Sequence, residues 1–301
     1  MSWIFLALGS CISWGIANIA DKYIIGNRVK NIYVFLLWSY FFGAIISVFA
    51  IPFIEFKLPD LQTMIFLTIA GVIYTIGTIW YFKALEIDEV SRINIWWNLV
   101  PVFTLLVGWL AINELPNQVQ LLAMAILIVG SIIASVKFTK GQKLISPGLW
   151  WIIAASLEFS IYLIIIRFVS ASASPAFIFI YTNIIQFFTV LFFFWRKSFR
   201  EAFVIDTKKL TVSVALWVMA AMGIDHLGTF FNQLAVKQGP AALVSSLVGF
   251  QTLFVFFSSI LITRWKPDSL NETVDRKNLT VKFAAVIFVV IGIFILAQSD
   301  N

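Results

Sequence analysis

The sequence predicts an all-α polytopic membrane protein whose ten transmembrane helices form two inverted five-helix repeats. Three observations predict this fold class: the composition, the spacing of the apolar segments and a weak internal repeat. Of the 301 residues, 61% are hydrophobic and 12% are charged, whereas a soluble domain has about 45–50% apolar and about 25% charged residues. The composition therefore excludes a single soluble domain. It also excludes a disordered chain, because disordered chains are rich in charge and poor in apolar residues.

The apolar residues are grouped into ten segments that are separated by charged or Pro/Gly-containing breaks. Most segments have the roughly 17–25 residues that a transmembrane helix needs. They are apolar on all sides and do not alternate with the period of two of a membrane β-strand. We number the segments as spans 1 to 10: residues 2–20, 32–54, 61–82, 91–112, 118–136, 149–168, 175–195, 211–236, 240–263 and 281–297.

The cationic residues indicate the topology. All 21 Lys and Arg residues except Lys57, Arg167 and Lys237 lie in the loops after odd-numbered spans. Because cytoplasmic loops carry the excess of Lys and Arg, both termini are predicted to lie outside the cytoplasm, most simply at the plasma membrane. The formal charge of +6 is then a topology signal, and no nucleic-acid partner is expected.

The residue types needed for common enzyme chemistry are scarce. Cys11 is the one cysteine and His226 the one histidine, which excludes an intrachain disulfide and multi-cysteine or His-rich metal sites. No phosphate-binding glycine loop is present, so ATP-driven transport has no support. We expect no enzyme activity, catalytic residue, cofactor or metal.

The internal repeat divides the chain into residues 1–143 and 144–301. A shift of 151 residues aligns Ala84 with Ala235, Phe103 with Phe254, and Pro116 with Pro267; after a further insertion, Gly130 aligns with Gly292. Each half would contain five helices. An odd number forces the two halves into opposite orientations, as in many secondary transporters.

Two polar stripes predict a central cavity, because polar groups at bilayer depth are costly and usually face the protein interior. The stripe of span 8 consists of Asp225, Thr229 and Asn232, which share one helix face by their spacing. The repeat shift places Tyr74, Thr78 and Tyr81 of span 3 in the equivalent stripe. We expect these residues to bind substrate; the alternative is interhelical hydrogen bonding that holds the bundle together.

Three residues near the middle of spans 6 and 8 are candidates for proton coupling: Glu158, Asp225 and His226. A carboxylate at this depth could bind a proton or a cationic group of the substrate. The alternative for Glu158 is pairing with Arg167 or His226. A histidine is a common proton relay, and the alternative for His226 is a packing role.

Spans 4 and 9 occupy equivalent places in the two halves. In span 4, Asn94, Trp97 and Asn98 share a face with Pro101, and their amides and aromatic ring suit a substrate-facing role. In span 9, the matching face contains Ser245, Gly249 and Thr252, of which Ser245 and Thr252 are further candidates for substrate binding. Small residues also allow close helix packing. Spans 5 and 10 have almost no polar interior residues, so we expect them to lie at the periphery, against lipid or against the second subunit of a homodimer.

Four short motifs carry a resemblance to a known family, and they extend over essentially the whole chain. They are Ser13-Trp14-Gly15 with Lys22, Tyr81-Phe82-Lys83-Ala84-Leu85, Asn113-Glu114-Leu115 and Gly239-Pro240-Ala241-Ala242. In their order and spacing the chain resembles the EamA-type members of the drug/metabolite transporter superfamily, which are built from five plus five helices. It departs from the family at Trp265-Lys266, where the family often repeats the glutamate seen at Glu114. Many members of the family keep their termini in the cytoplasm, and the topology predicted here differs from theirs.

The resemblance implies a secondary active transporter that moves a small metabolite, most commonly an amino acid or related compound. Alternating access would come from rocking of spans 3, 4, 8 and 9, with the proton gradient as energy source if Asp225 or Glu158 titrates. The alternative is a non-transporting polytopic receptor or assembly protein. That alternative would explain the helices but not the paired polar stripes.

Overall fold

Helices account for every regular element that the computed structural model describes. It describes residues 2–27, 31–53, 57–87, 96–135, 148–208, 211–265 and 276–299. The helices are α1 Ser2–Asn27, α2 Ile32–Ala50, α3 Leu61–Ile87, α4 Leu99–Ile112, α5 Gln118–Ser135, α6 Gly148–Val169, α7 Pro175–Leu191, α8 Lys197–Lys208, α9 Val212–Gln238, α10 Ala241–Ser246, α11 Val248–Trp265 and α12 Arg276–Ser299. Short 3₁₀ turns extend α2 through Ile51–Phe53 and α7 through Phe192–Trp195.

Five helical stretches are long and apolar enough to cross a membrane: Ser2–Ala20, Ile32–Ala50, Leu61–Ala84, Gly148–Val169 and Pro175–Trp195. Four shorter apolar helices follow in α4, α5, α10 with α11, and α12. With its many exposed large hydrophobic side chains, the chain is an integral membrane protein. The helical, membrane-embedded fold class is therefore confirmed.

Two spans differ from the uninterrupted helices that the apolar pattern predicts. Span 9 is divided into α10 and α11 at Leu247, whose backbone lies at φ −74° and ψ −4°. Span 4 has a turn at Asn98, with φ −67° and ψ −1°, between Trp97 and the start of α4. Pro101 explains the second interruption, because its ring lacks an N–H donor and clashes with the carbonyl one turn earlier.

One further helix, α8, was not predicted. It lies between spans 7 and 8, and the side chain of Phe199 buries its apolar side. Asp206 is also buried and accepts from the backbone N–H of Asn31 at 3.3 Å, whereas the exposed Lys197 and Glu201 form an ion pair, with Nζ 3.7 Å from Oε1.

The helices pack in pairs that join the two halves of the chain. The most extensive contacts are those of α1 with α9, α5 with α12, α3 with α6, and α2 with α7. In addition, α4 packs against α6 and α10, and α1 packs against α11.

Glycines allow the close approach of α5 and α12. A Cβ on Gly130 would lie 2.9 Å from Cβ of Phe288, and a Cβ on Gly292 would lie 2.6 Å from Cγ of Leu127. Small residues permit such close helix contact in membranes. The opposite faces of both helices carry exposed apolar side chains, including Leu122 and Ile287. The homodimer through these two helices stays a prediction.

The bundle is closed at the end where α1 begins and α6 and α9 end, which we call the closed end. Trp3 is buried there, and a Cβ on Gly239 would collide with its indole ring. Val236 and Ala241 beside it are fully buried. This packing leaves little space at the closed end.

Candidate functional site

A cavity of about 180 Å³ lies between the helices of the two halves. Its lining comes from α1, α2, α3, α6, α7, α9, α10 and α11, and from Trp97 and Val100 around the start of α4. The described residues of α5, α8 and α12 contribute nothing to it. Along α2 and α3 the lining residues, Phe35–Tyr40 and Tyr74–Phe82, lie in the part of each helix away from the closed end. The cavity therefore extends from the middle of the bundle towards the end opposite the closed end.

Most of the residues that the sequence singles out line this one cavity. They are Tyr74, Thr78, Tyr81, Trp97, Glu158, Asp225, His226, Thr229, Asn232 and Ser245. Asn98 and Thr252 do not line it, and Asn94 lies outside the described residues. The structure thus brings the two predicted stripes and the three proton-coupling candidates together.

The helix interruptions explain why Asn98 and Thr252 lie elsewhere. Their prediction rests on an uninterrupted helical spacing, and a turn changes which face the following residues occupy. After the turn at Leu247, Gln251 lines the cavity in place of Thr252. Gly249 packs so closely on Ser131 of α5 that a Cβ would collide with its hydroxyl. Asn98, at the turn itself, is buried beside the cavity rather than in it.

Glu158 of α6 is a buried carboxylic acid at the cavity wall. Its side chain lies against the backbone of α3, where a Cβ on Gly77 would collide with the carboxylate. Its Oε1 atom is buried and has no hydrogen-bond partner within the protein. An unpaired buried carboxylate is costly, which is typical of a group that binds a proton or a ligand. The pairing of Glu158 with Arg167 is excluded, because Arg167 binds Glu114 instead.

Aromatic rings form one wall of the cavity. This aromatic wall consists of Trp14, Tyr74, Tyr81, Trp97 and Phe159. Phe159 is its centre, with ring centroids 5.6 Å from Trp97, 6.0 Å from Tyr74 and 6.3 Å from Trp14. Tyr81 meets Trp97 edge to face at 5.1 Å. Phe159, the centre of the wall, adjoins Glu158 on α6.

The stripe of α9 packs directly against α1 at Thr229. Thr229 donates to the backbone carbonyl of Asp225 at 3.2 Å, and Nε1 of Trp14 donates to the Thr229 hydroxyl at 3.4 Å. Gly228 makes this approach possible, since a Cβ there would lie 2.8 Å from Cδ1 of Trp14. Hydrogen bonding between helices, the alternative role for the stripe, is therefore present at Thr229.

His226 connects α9 to α2. Its Nε2 lies 3.1 Å from the backbone carbonyl of Ser39. Because a carbonyl can only accept, Nε2 carries the hydrogen and Nδ1 is the free acceptor in the neutral ring. Gly43 makes room for the ring, as a Cβ there would lie 2.5 Å from the imidazole. This interhelical bond is the packing role that was the alternative for His226.

The charged groups of the cavity wall are acidic. Among the described residues, its lining includes Glu158 and Asp225 together with His226, and no Lys or Arg. Within the same residues, no group of three or more His, Cys, Asp and Glu side chains could hold a metal ion.

At the closed end, Glu114 and Arg167 form an ion pair between the two halves. Asn113 ends α4 in the left-handed conformation at φ 52°, which asparagine tolerates well, and Glu114 follows it. The Arg167 guanidinium also donates to the carbonyls of Val236 and Lys237 at the end of α9, at 3.0 and 2.7 Å. Oε1 of Glu114 accepts from the backbone N–H of Ala241 at 2.8 Å. The Glu114 carboxylate therefore lies at the start of α10, where the helix dipole favours an acid.

Sequence reasoning assigned no substrate-binding role to several lining residues. They are Cys11 and Asn18 on α1, Ser39 and Tyr40 on α2, Gln186 on α7 and Gln251 on α11. The adjacent polar pair Ser39-Tyr40 within an apolar span is a signal that could have identified α2. The Cys11 thiol donates to the Leu247 carbonyl at 3.4 Å, and the same carbonyl accepts from the backbone N–H of Phe250 at 2.9 Å.

Comparisons with known proteins agree with this architecture. Residues 1–136 match the model of the EamA-like transporter family. A solved structure titled "Crystal structure of protein" superposes with a TM-score of 0.73 over 98% of this chain and 95% of its own, at 11% identity. At that identity the likeness shows a shared fold alone. No curated protein matches the chain. Residues 1–136, which are less than half of the 301 residues, are therefore similar to the EamA-like transporter family.

Proposed function

We propose that this protein is a secondary active transporter that moves a small metabolite, an amino acid or related compound, through the cavity between two inverted five-helix repeats. The observation that carries the proposal is the buried, unpaired carboxylate of Glu158 in a cavity lined by both halves. Binding at the midplane between repeats is the arrangement that alternating access requires. The proton-coupling groups are Glu158, Asp225 and His226, and the substrate contacts are the cavity residues of α3, α9 and α10 with Trp97.

The helix contacts support the division into residues 1–143 and 144–301. Exchanging the two halves converts the pair α1 and α9 into the pair α6 and α3, and both pairs are in contact. The same exchange leaves the pairs α2 with α7 and α5 with α12 unchanged. The turns at Asn98 and Leu247 have nearly equal backbone angles and fall in the corresponding spans 4 and 9. Interrupted helices at such places are typical of inverted-repeat transporters.

The loop charges orient this molecule in the plasma membrane with both termini outside the cytoplasm. In that orientation the closed end faces outwards and the cavity extends towards the cytoplasm. Alternating access would then open the contacts around Trp3 and Arg167 while closing the cytoplasmic side.

Transport by the full chain in lipid vesicles tests the proposal. The vesicles are challenged with a panel of labelled metabolites, with and without a pH gradient. We expect saturable flux that the gradient accelerates, and that Glu158→Gln or Asp225→Asn removes the acceleration. The matched control is Glu201→Gln, which neutralises an exposed carboxylate on α8. A panel without any gradient-dependent flux would contradict transport and favour the receptor or assembly role; unchanged flux in both variants would exclude coupling by these residues.

A further inference from the structure

Beyond transport of a small metabolite, the cavity restricts the charge of its ligand. Glu158 is 8% exposed, and its Oε1 atom has no partner in the protein. Asp225 lines the same cavity from α9. Two carboxylates therefore face one small space, and no Lys or Arg among the described residues balances them there.

An anionic or zwitterionic ligand would bring its own carboxylate into this space. Burial of a charge is tolerated only when the charge is paired, and like charges at close range repel. Amide donors such as Asn232 and Gln251 could bind a carboxylate, but they do not cancel the two acidic groups. A cationic ligand, in contrast, would supply the missing partner of Glu158.

The aromatic wall supplies the second half of a cation site. The faces of Trp and Tyr rings attract ammonium groups, by about 0.5–2 kcal/mol each. Trp97 and Tyr74 both contact Phe159, the residue next to Glu158. The rings also offer an apolar surface for the body of a ligand, so the wall suits an amine that carries an aromatic or aliphatic group.

We propose that the cavity binds organic monocations, namely amines with an apolar or aromatic body, in preference to zwitterionic or anionic compounds of the same size. This inference rests on the proposed transport function and narrows its substrate class from amino acids and related compounds to amines. The ammonium group lies between the carboxylates of Glu158 and Asp225, and the apolar body lies on the aromatic wall.

Three phenyl compounds of different charge test the inference on the unmodified full chain. They are phenethylamine as cation, phenylalanine as zwitterion and 3-phenylpropionate as anion, and their binding to the purified protein in detergent is measured by calorimetry. We expect phenethylamine to bind at least roughly tenfold more tightly than the other two. Equal or tighter binding of phenylalanine or phenylpropionate would overturn the inference, and so would a lack of phenethylamine binding.

Variants locate the site. Glu158→Gln and Asp225→Asn should each weaken phenethylamine binding by roughly tenfold, while Glu201→Gln leaves it unchanged. Unaltered affinity in both cavity variants would mean that the amine binds elsewhere, and it would contradict the proposed position of the site. Because the ligand series uses the unmodified chain, a variant that fails to fold leaves the main test intact.

Flux measurements separate this inference from the proposed function. If the vesicles transport a zwitterion and the calorimetry shows no preference for the amine, transport stands and the cation site is wrong. If phenethylamine binds with the expected selectivity and no solute is transported, the cation site stands and the transport function is wrong.

Discussion

The guanidinium Nε of Arg167 lies 2.7 Å from Oε2 of Glu114, and this ion pair joins the end of α6 to the segment after α4. The same two side chains bind the backbone at the end of α9 and the start of α10. Four helix ends from both halves therefore meet at one ion pair, which holds them together at the closed end.

Removal of Arg167 should destabilise the protein more than removal of the Glu114 charge. Arg167→Met leaves a carboxylate and two carbonyls without their donor, whereas Glu114→Gln keeps an acceptor for Ala241. The side chains are 28% and 16% exposed, so we expect about 1–3 kcal/mol for Arg167→Met. This value is the expected decrease in the free energy of unfolding, which is measured in mild detergent.

The exposed pair of Lys197 and Glu201 is the matched control. Lys197→Met should change the unfolding free energy by no more than about 0.5 kcal/mol, because exposed ion pairs contribute little. Equal effects of Lys197→Met and Arg167→Met would mean that the closed-end pair has no special role.

A methyl group on Gly77 should displace the Glu158 carboxylate. Gly77→Ala places a Cβ where the carboxylate lies, and we expect a loss of about 1–3 kcal/mol in unfolding free energy together with weaker flux. Gly223→Ala in α9 is the control, because a Cβ there has nothing within 4 Å. That control should be neutral or stabilising by about 0.4–1 kcal/mol. Full flux in Gly77→Ala would contradict the position of Glu158.

The contact between α5 and α12 predicts a coupled pair of substitutions. Gly292→Ala pushes its Cβ onto the buried Leu127, and Leu127→Ala removes the atoms in its way. We expect Gly292→Ala to destabilise the unmodified chain and to cost less in the Leu127→Ala background, with a coupling energy of about 0.5–3 kcal/mol. The four unfolding free energies measure this coupling. Strict additivity would show that the two residues do not touch.

Stability should depend on the Asp60 carboxylate at low pH. Its two oxygens accept from the backbone N–H and the hydroxyl of Thr63 at the start of α3, each at 2.9 Å, and these bonds lower the pKa of Asp60. The cap therefore stabilises the protein above the usual pKa of an aspartate, and its contribution is lost as the pH falls through the lowered value.

Thermal unfolding of Asp60→Ala and the unmodified chain across the acidic range tests this cap. We expect a small decrease in Tm for the variant near neutral pH, and the difference should shrink as the pH falls below the usual aspartate range. If the difference in Tm between the variant and the unmodified chain grew as the pH fell, the Asp60 carboxylate would not stabilise the protein in this way.

The thiol of Cys11 offers a probe of the cavity without mutagenesis, since the chain has a single cysteine. Cys11 is buried at the cavity lining, so small thiol reagents must enter the cavity to reach it. Phenethylamine at about ten times its Kd should slow the modification roughly tenfold by occupying the site. Mass spectrometry of the intact chain measures the rate. An unchanged rate would place the bound amine away from Cys11.

The sequence predicted the membrane class and ten of the cavity's lining residues because both depend on local patterns. Hydropathy over some twenty residues identifies a span, and the spacing of Asp225, Thr229 and Asn232 identifies a helix face whatever the neighbours are. The stripe of span 3 followed in the same way. The residues around Asn98 and Leu247 could not be predicted, because a single turn in the backbone rotates everything after it about the helix axis.

The sequence by itself determined that this chain lies in a membrane, where most of its long helices are, and which family its first 136 residues resemble. The tertiary structure alone decided that Arg167 binds Glu114, that Gly77 makes room for a buried carboxylate, and that α2 contributes to the cavity. The physical reason is distance along the chain. Hydropathy and helix faces are properties of neighbouring residues, whereas ion pairs and close helix contacts join residues that only the packing of separate helices brings together.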